Sequence, residues 1–165
     1  MHVYVPATLA MLQRLVEDRS LHALSGTAFA VTPALREAYA AGDEDELAEV
    51  ALRDAALASL RLLAAEGPSE LPPRRAVVVA DVEDLTLRSD LDDAVVRLAG
   101  PISFDDVVAA YVDNADAESA VVPAIEAVDA ADLGDEDAEF VVGDAQDHDL
   151  AWYAPQELPF LLQLL

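Results

Sequence analysis

The chain contains neither cysteine nor lysine. Without a thiol there can be no disulfide, no thiolate metal centre, no cysteine nucleophile and no thiol redox chemistry. Without lysine there is no phosphate-loop ammonium, no Schiff base with a pyridoxal cofactor and no lysine general base. Six glycines are spread along 165 residues and none falls in a GxGxxG pattern, so a dinucleotide cradle has no support. No GxSxG elbow, HxH or HExxH spacing occurs either, which argues against a serine hydrolase of that type and a zinc hydrolase. Apolar runs are short. Ala55 to Leu60 and Leu158 to Leu162 are far from the roughly 20 residues of a membrane span. The opening stretch Met1-His2-Val3-Tyr4-Val5-Pro6 has no basic, then apolar, signal-like character, so the expected setting is the cytoplasm.

Positive charge is scarce. Nine arginines face 33 acidic residues, a formal net charge of -24. Polyanions are held by clustered basic side chains that neutralise phosphates, and the only adjacent pair here is Arg74-Arg75, so nucleic acid is not an expected partner. Arginine without lysine, together with abundant alanine, reads as a trace of genomic base composition. A salt-adapted surface is the rival explanation.

Apolar residues make up 54% of the chain but aromatics only 5%, so the core is expected to be Ala, Val and Leu packed at short range. The length suits one domain, residues 1–165. His2 to Pro6 reads as a strand, followed by a helix with Leu9, Leu12, Leu15 and Val16 on one face. Thr27 to Val31 reads as a second strand, and Thr32-Pro33 as a cap and first helical position. Asp43 and Glu46 form a capping signature for a long helix ending near Glu66, in which Glu49 and Arg53 stand four apart in the favourable order. Its leucines are not confined to one stripe, which predicts packing on more than one side.

After the stiff connection Gly67 to Pro73, further strands are expected at Arg75 to Val82, Ala94 to Ala99 and Val107 to Val112. Asp113-Asn114 reads as the cap of a helix carrying Ala117, Val121, Ala124 and Val128, kinked or started by Pro123. Asp132 to Asp149 reads as an acidic loop with a short strand at Phe140-Val141-Val142. A strand at Leu150 to Tyr153 and an apolar helix from Pro155 to Leu165 close the chain. Four strand-to-helix junctions each carry an aromatic, at Tyr4, Phe29, Tyr111 and Trp152-Tyr153. The expected class is α+β: a mixed, partly antiparallel sheet, helices mainly on one face, with ferredoxin-like βα elements.

Two segments, Leu24 to Glu37 (LSGTAFAVTPALRE) and Asp147 to Pro159 (DHDLAWYAPQELP), give the chain a likeness. It resembles, over its whole length, a family of short uncharacterised proteins from high-GC actinobacteria, classed as a domain of unknown function. The resemblance implies a bacterial cytoplasm and brings no activity, cofactor or catalytic residue with it.

Among side chains with chemistry to offer, the acidic stretch fails as a calcium loop. Counted from Asp135, its sixth residue is Phe140 and its twelfth Gln146, where glycine and glutamate are required. No metal and no cofactor is expected. Ser25-Gly26-Thr27 reads as a turn. Asp147-His148-Asp149 sets an imidazole between two carboxylates that could orient it as a base. The candidates for catalysis are therefore His148, Tyr153 and Tyr4, and those for binding are Trp152, Tyr153 and Tyr111 at the strand ends, each with a plain core or loop role as its alternative. Three functions remain open: a non-catalytic homodimeric or protein-binding domain, using the long helix or the apolar terminal helix; a small-molecule enzyme with carboxylate, tyrosine and histidine chemistry; and an acidic inhibitor that masks a basic protein.

Overall fold

The computed structural model describes residues 1–165, and the class is α+β. Seven strands form the main sheet: β1 (His2–Ala7), β3 (Thr27–Phe29), β4 (Ala76–Asp81), β5 (Leu85–Leu87), β6 (Val95–Leu98), β8 (Val107–Val112) and β9 (Ala151–Tyr153). Their order is β5-β6-β3-β1-β4-β8-β9, and every pairing is antiparallel, so the mixed sheet expected from the sequence resolves into one without a parallel pair. A small ladder, β2 (Ser20–Leu21) with β7 (Ile102–Ser103), stands apart. Pro6 sits in a strand that β4 pairs along its length, at Pro6↔Val77, but β3 pairs with β1 only at Tyr4↔Phe29, so the other edge of β1 is open at Pro6 and a missing N–H is tolerated there.

Six helices cover both faces, with most of the helical chain on one: α1 (Leu9–Asp18), α2 (Pro33–Ala38), α3 (Glu44–Glu66), α4 (Glu118–Asp132), α5 (Glu136–Gln146) and α6 (Leu158–Gln163). Strand alternation divides the core. Val3, Val5 and Ala7 of β1 and Ala76, Val78 and Ala80 of β4 face α1 and α6, where Leu9, Leu12, Leu15, Leu158 and Leu161 close over them. Phe29, Val77 and Val95 face the other way, toward Leu35 of α2 and Leu47, Ala51 and Ala55 of α3. Small alanines let α3 lie close to the sheet, and the buried Ser59 hydroxyl fastens it there, donating to Ala7 O at 2.7 Å and accepting from Ala76 N at 3.0 Å.

The leucines that escape a single stripe on α3 have a use. Leu57, Leu60 and Leu63 point to a helical hairpin of α4 and α5, whose Val121, Ala124, Val128, Val142 and Ala145 complete a third apolar cluster. The hairpin corrects the sequence reading of Asp132 to Asp149: Phe140-Val141-Val142 is helical, not a strand in a loop. Asp135 caps α5 by accepting from Ala138 N at 2.9 Å, and Glu136, Asp137 and Glu139 lie in its first turn, where carboxylates favour the helix dipole. The helix α4 runs through Pro123 and begins after a single turn at Ala115–Ala117.

Ser25 and Gly26 both adopt positive φ, at 56° and 70°. A Cβ on Gly26 would lie 2.9 Å from Leu98 O, so this turn is a close approach of backbone to β6 and presents no nucleophile.

Candidate functional site

Where β4 begins and β8 ends, Arg75 and Asp113 form a buried ion pair, their side chains 2% and 0% exposed. Arg75 donates through Nε and Nη2 to the two carboxylate oxygens at 2.9 and 2.7 Å, and its backbone N–H adds a third bond at 2.8 Å. The same guanidinium reaches Gln146 Oε1 at 2.9 Å and His148 O at 2.8 Å. Asp113 is thus no helix cap. It anchors a node that joins β4, β8, the end of α5 and the approach to β9. With its partners complete, the node holds structure together and offers nothing to a substrate.

A shallow crevice beside the node is lined by Glu49, Leu52 and Arg53 of α3 and by His148, Asp149 and Leu150. No ion pair joins the His148 ring to Asp147 or Asp149, and it is the His148 backbone carbonyl that is engaged. Arg53 does not pair with Glu49 as the spacing predicted; it donates to Gln146 O at 3.3 Å, and Gln146 Nε2 returns a bond to Arg53 O.

The strand-end aromatics divide by strand alternation. Tyr111 and Trp152 are directly opposite on β8 and β9 and share one sheet face, as Tyr4 does on β1. Tyr153 lies on the other face, packed against the core under α1 and α6. Burial, and then the neighbouring Tyr111 and Glu49, push the Tyr4 phenol above its ordinary pKa, so it stays protonated at neutral pH and is a poor base. The catalytic trio His148, Tyr153 and Tyr4 is not gathered in one place.

The largest apolar opening lies at the other end of α3. It is a cleft of about 560 Å³ between the last turns of α3 (Leu63, Ala64, Glu66), the segment Gly67 to Pro73, the start of α1 (Leu9, Ala10) and one stripe of α4. That stripe is Val122, Ile125, Glu126 and Asp129, spaced i, i+3, i+4 and i+7, one step around from the stripe that packs on α3. Pro68, Pro72 and Pro73 stiffen the opposite wall. Val122 is 47% exposed, and the carboxylates of Glu66, Glu126 and Asp129 take part in none of the seven ion pairs of the molecule. The adjacent arginine, Arg74, is held by Glu118 at 3.0 Å. This cleft was missed in the sequence. Its one local signal is Val122, an exposed apolar residue off the core stripe of α4.

A wider depression of about 710 Å³ around Asp81, Glu83, Asp84 and Asp106 is acidic, and no group of three or more histidine or carboxylate side chains in the molecule is placed to hold a metal ion. No helix is long and apolar enough to cross a membrane. On the terminal helix, Phe160 and Leu164 remain exposed while Leu158 and Leu161 are buried.

A family model described as a family of unknown function (DUF6912) matches residues 1–162. The chain belongs to the DUF6912 family. No significant match was found among curated proteins or among solved structures. Membership in DUF6912 covers the sheet, both helical layers and the cleft alike, and attaches no activity to any of them.

Proposed function

We propose that the protein is a non-catalytic interaction domain whose cleft at the end of α3 receives a basic, apolar-anchored segment of another protein. The observation that carries this reading is the cleft itself: an apolar floor of Leu63, Leu71, Val122 and Ile125 rimmed by three carboxylates without counter-ions. Burying apolar area there supplies affinity, and the unpaired rim selects cationic partners and speeds their approach. A net charge of -24 on each copy favours a basic partner over a homodimer. A high-GC actinobacterial cytoplasm is the setting we assign, on the resemblance carried by Leu24 to Glu37 and Asp147 to Pro159.

The test compares purified wild type with Ile125→Glu, which adds a charge to the floor at a half-buried position on the edge of the α3–α4–α5 cluster, with retention of the fold checked by circular dichroism. Co-purification from the native host, followed by light scattering, should give a complex with a basic protein for wild type alone. A strict monomer with no companion, or the same companion retained by Ile125→Glu, would refute the reading.

An enzyme built on the Tyr4 face is the second reading, favoured by the shared sheet face and common apolar cluster of Tyr4 and Tyr111.

A further inference from the structure

The helix α3 ends at the cleft, where Ala64, Glu66 and Gly67 form part of the lining, and most of its last turn is left uncapped. Gly67 N donates to Leu63 O at 3.2 Å, but no backbone N–H reaches the carbonyls of Ala64, Ala65 and Glu66. Pro68 has no N–H to return to Ala64 O, four residues back, and the Leu71 N–H is spent on Ser69 Oγ at 3.1 Å. Helix carbonyls point along the axis toward the C-terminus, so this end carries the negative pole of a 23-residue helix. A basic side chain in the last turn would answer it, and α3 has none there. The arginines nearest in sequence are committed elsewhere: Arg61 donates to both carboxylate oxygens of Asp132 at 2.9 Å, and Arg74 donates to Glu118. Of the side chains lining the cleft only the Ser69 hydroxyl can donate, whereas Glu66, Glu126 and Asp129 accept.

We infer that the cleft takes a lysine side chain of a different protein, its ammonium seated on the C-terminal carbonyls of α3 and its stem on the apolar floor. The inference rests on the reading of the cleft as a site for a basic segment, and it names the residue that segment must carry. Successive helix carbonyls fan about 100° apart around the axis, so a compact ammonium with three N–H groups can donate to more than one of them. The planar fork of arginine is matched instead to the two oxygens of one carboxylate. Four methylenes can lie on Leu63, Leu71, Val122 and Ile125 while the charge stays at the rim. The chain holds no lysine, so neither its own side chains nor those of a second copy supply the ammonium. Charge complementarity favours the same occupant, since every charged group lining the cleft is a carboxylate.

The test is a titration of 15N-labelled protein with N-acetyl-lysine methylamide and its arginine and norleucine counterparts. The lysine probe should give saturable shifts of the Gly67, Ser69 and Ile125 amides, with affinity about five-fold above that of norleucine, the gain of a cation at a helix C-terminus. It should also bind more tightly than arginine. Glu126→Gln combined with Asp129→Asn should weaken both cations and leave lysine ahead, because the carbonyls remain. Ala65→Arg, at an exposed position in the last turn, should supply a cation from within and remove most of the lysine response. Arginine equal to lysine at the same amides, or a lysine lead untouched by Ala65→Arg, would overturn this inference and leave the cleft as a basic site. Norleucine equal to both cations, or no shift at these amides with any probe, would overturn the reading of the cleft along with it.

Discussion

Two acidic regions flank α3 and use their charge in opposite ways. Toward its N-terminal half, Asp113 is sealed from solvent and takes three hydrogen bonds from Arg75, whose guanidinium also bonds Gln146 and His148. At its C-terminal end, Glu66, Glu126 and Asp129 rim an apolar cleft with no arginine among them. A buried charge must be matched within the fold, because leaving it unpaired costs several kcal/mol. A rim charge can wait for a partner. The contrast separates residues whose loss should unfold the protein from residues whose loss should only silence it.

The sharpest way to break that contrast is Arg75→Met. Stranding Asp113 should destabilise the protein by about 3–5 kcal/mol in urea unfolding, and adding Asp113→Leu should recover much of the loss. If Arg75→Met alone were neutral, the node would not be the structural anchor described. Next in size is Gly26→Ala. With φ at 70° and Leu98 O 2.9 Å from the new Cβ, it should cost about 1–3 kcal/mol by the same measurement. Ile125→Glu belongs to the other class: half-buried at the edge of the α3–α4–α5 cluster, it should cost about 1 kcal/mol and leave the chain folded, with partner binding lost.

The smallest effects are those of pH. Burial, reinforced by Asp92, raises the pKa of Asp54 above the ordinary carboxylate value. The folded chain then holds that proton more tightly than the unfolded one, so the stabilisation is present in acid and is lost as pH rises through the raised pKa. Asp54→Asn should therefore raise Tm at neutral pH, by a margin that shrinks as pH falls toward the ordinary carboxylate range. Asp132 behaves oppositely, since the hydrogen bond from Arg61 lowers its pKa. Its stabilisation is present above the ordinary value and is lost as pH falls through the lowered one. Being solvent-exposed, it should contribute under about 1 kcal/mol when Asp132→Asn is compared near neutrality.

Much of the fold was legible because its signals are local. Thr8, Thr32 and Asp43 cap the helices they precede, accepting from the N–H three residues on, and Ala76 to Asp81 is the strand its apolar run announces. The helix α5 was not legible. Its buried positions are Ala138, Val142 and Ala145, too small to mark an apolar face, while its one large apolar residue, Phe140, is exposed. The pairing of β6 with β3, and not with the next strand in sequence, likewise has no local cue. Of the residues chosen from sequence as a site, Tyr4, Tyr111 and Trp152 share a face because all three occupy the same strand phase, whereas Tyr153 is one residue out of phase. The cleft draws on residues 9–10, 63–73 and 122–129, and the node joins residues 38 positions apart, so each emerges only when the chain is folded.

The cleft can be interrogated in place by installing photo-reactive p-benzoylphenylalanine at Val122 and irradiating living cells of the native host. The expected product is a covalent adduct with a second, basic protein, abolished when Ile125→Glu is added and not formed from the same probe at Phe140. An adduct only with another copy of the chain, or none at all, would contradict the assignment of this surface to a basic partner.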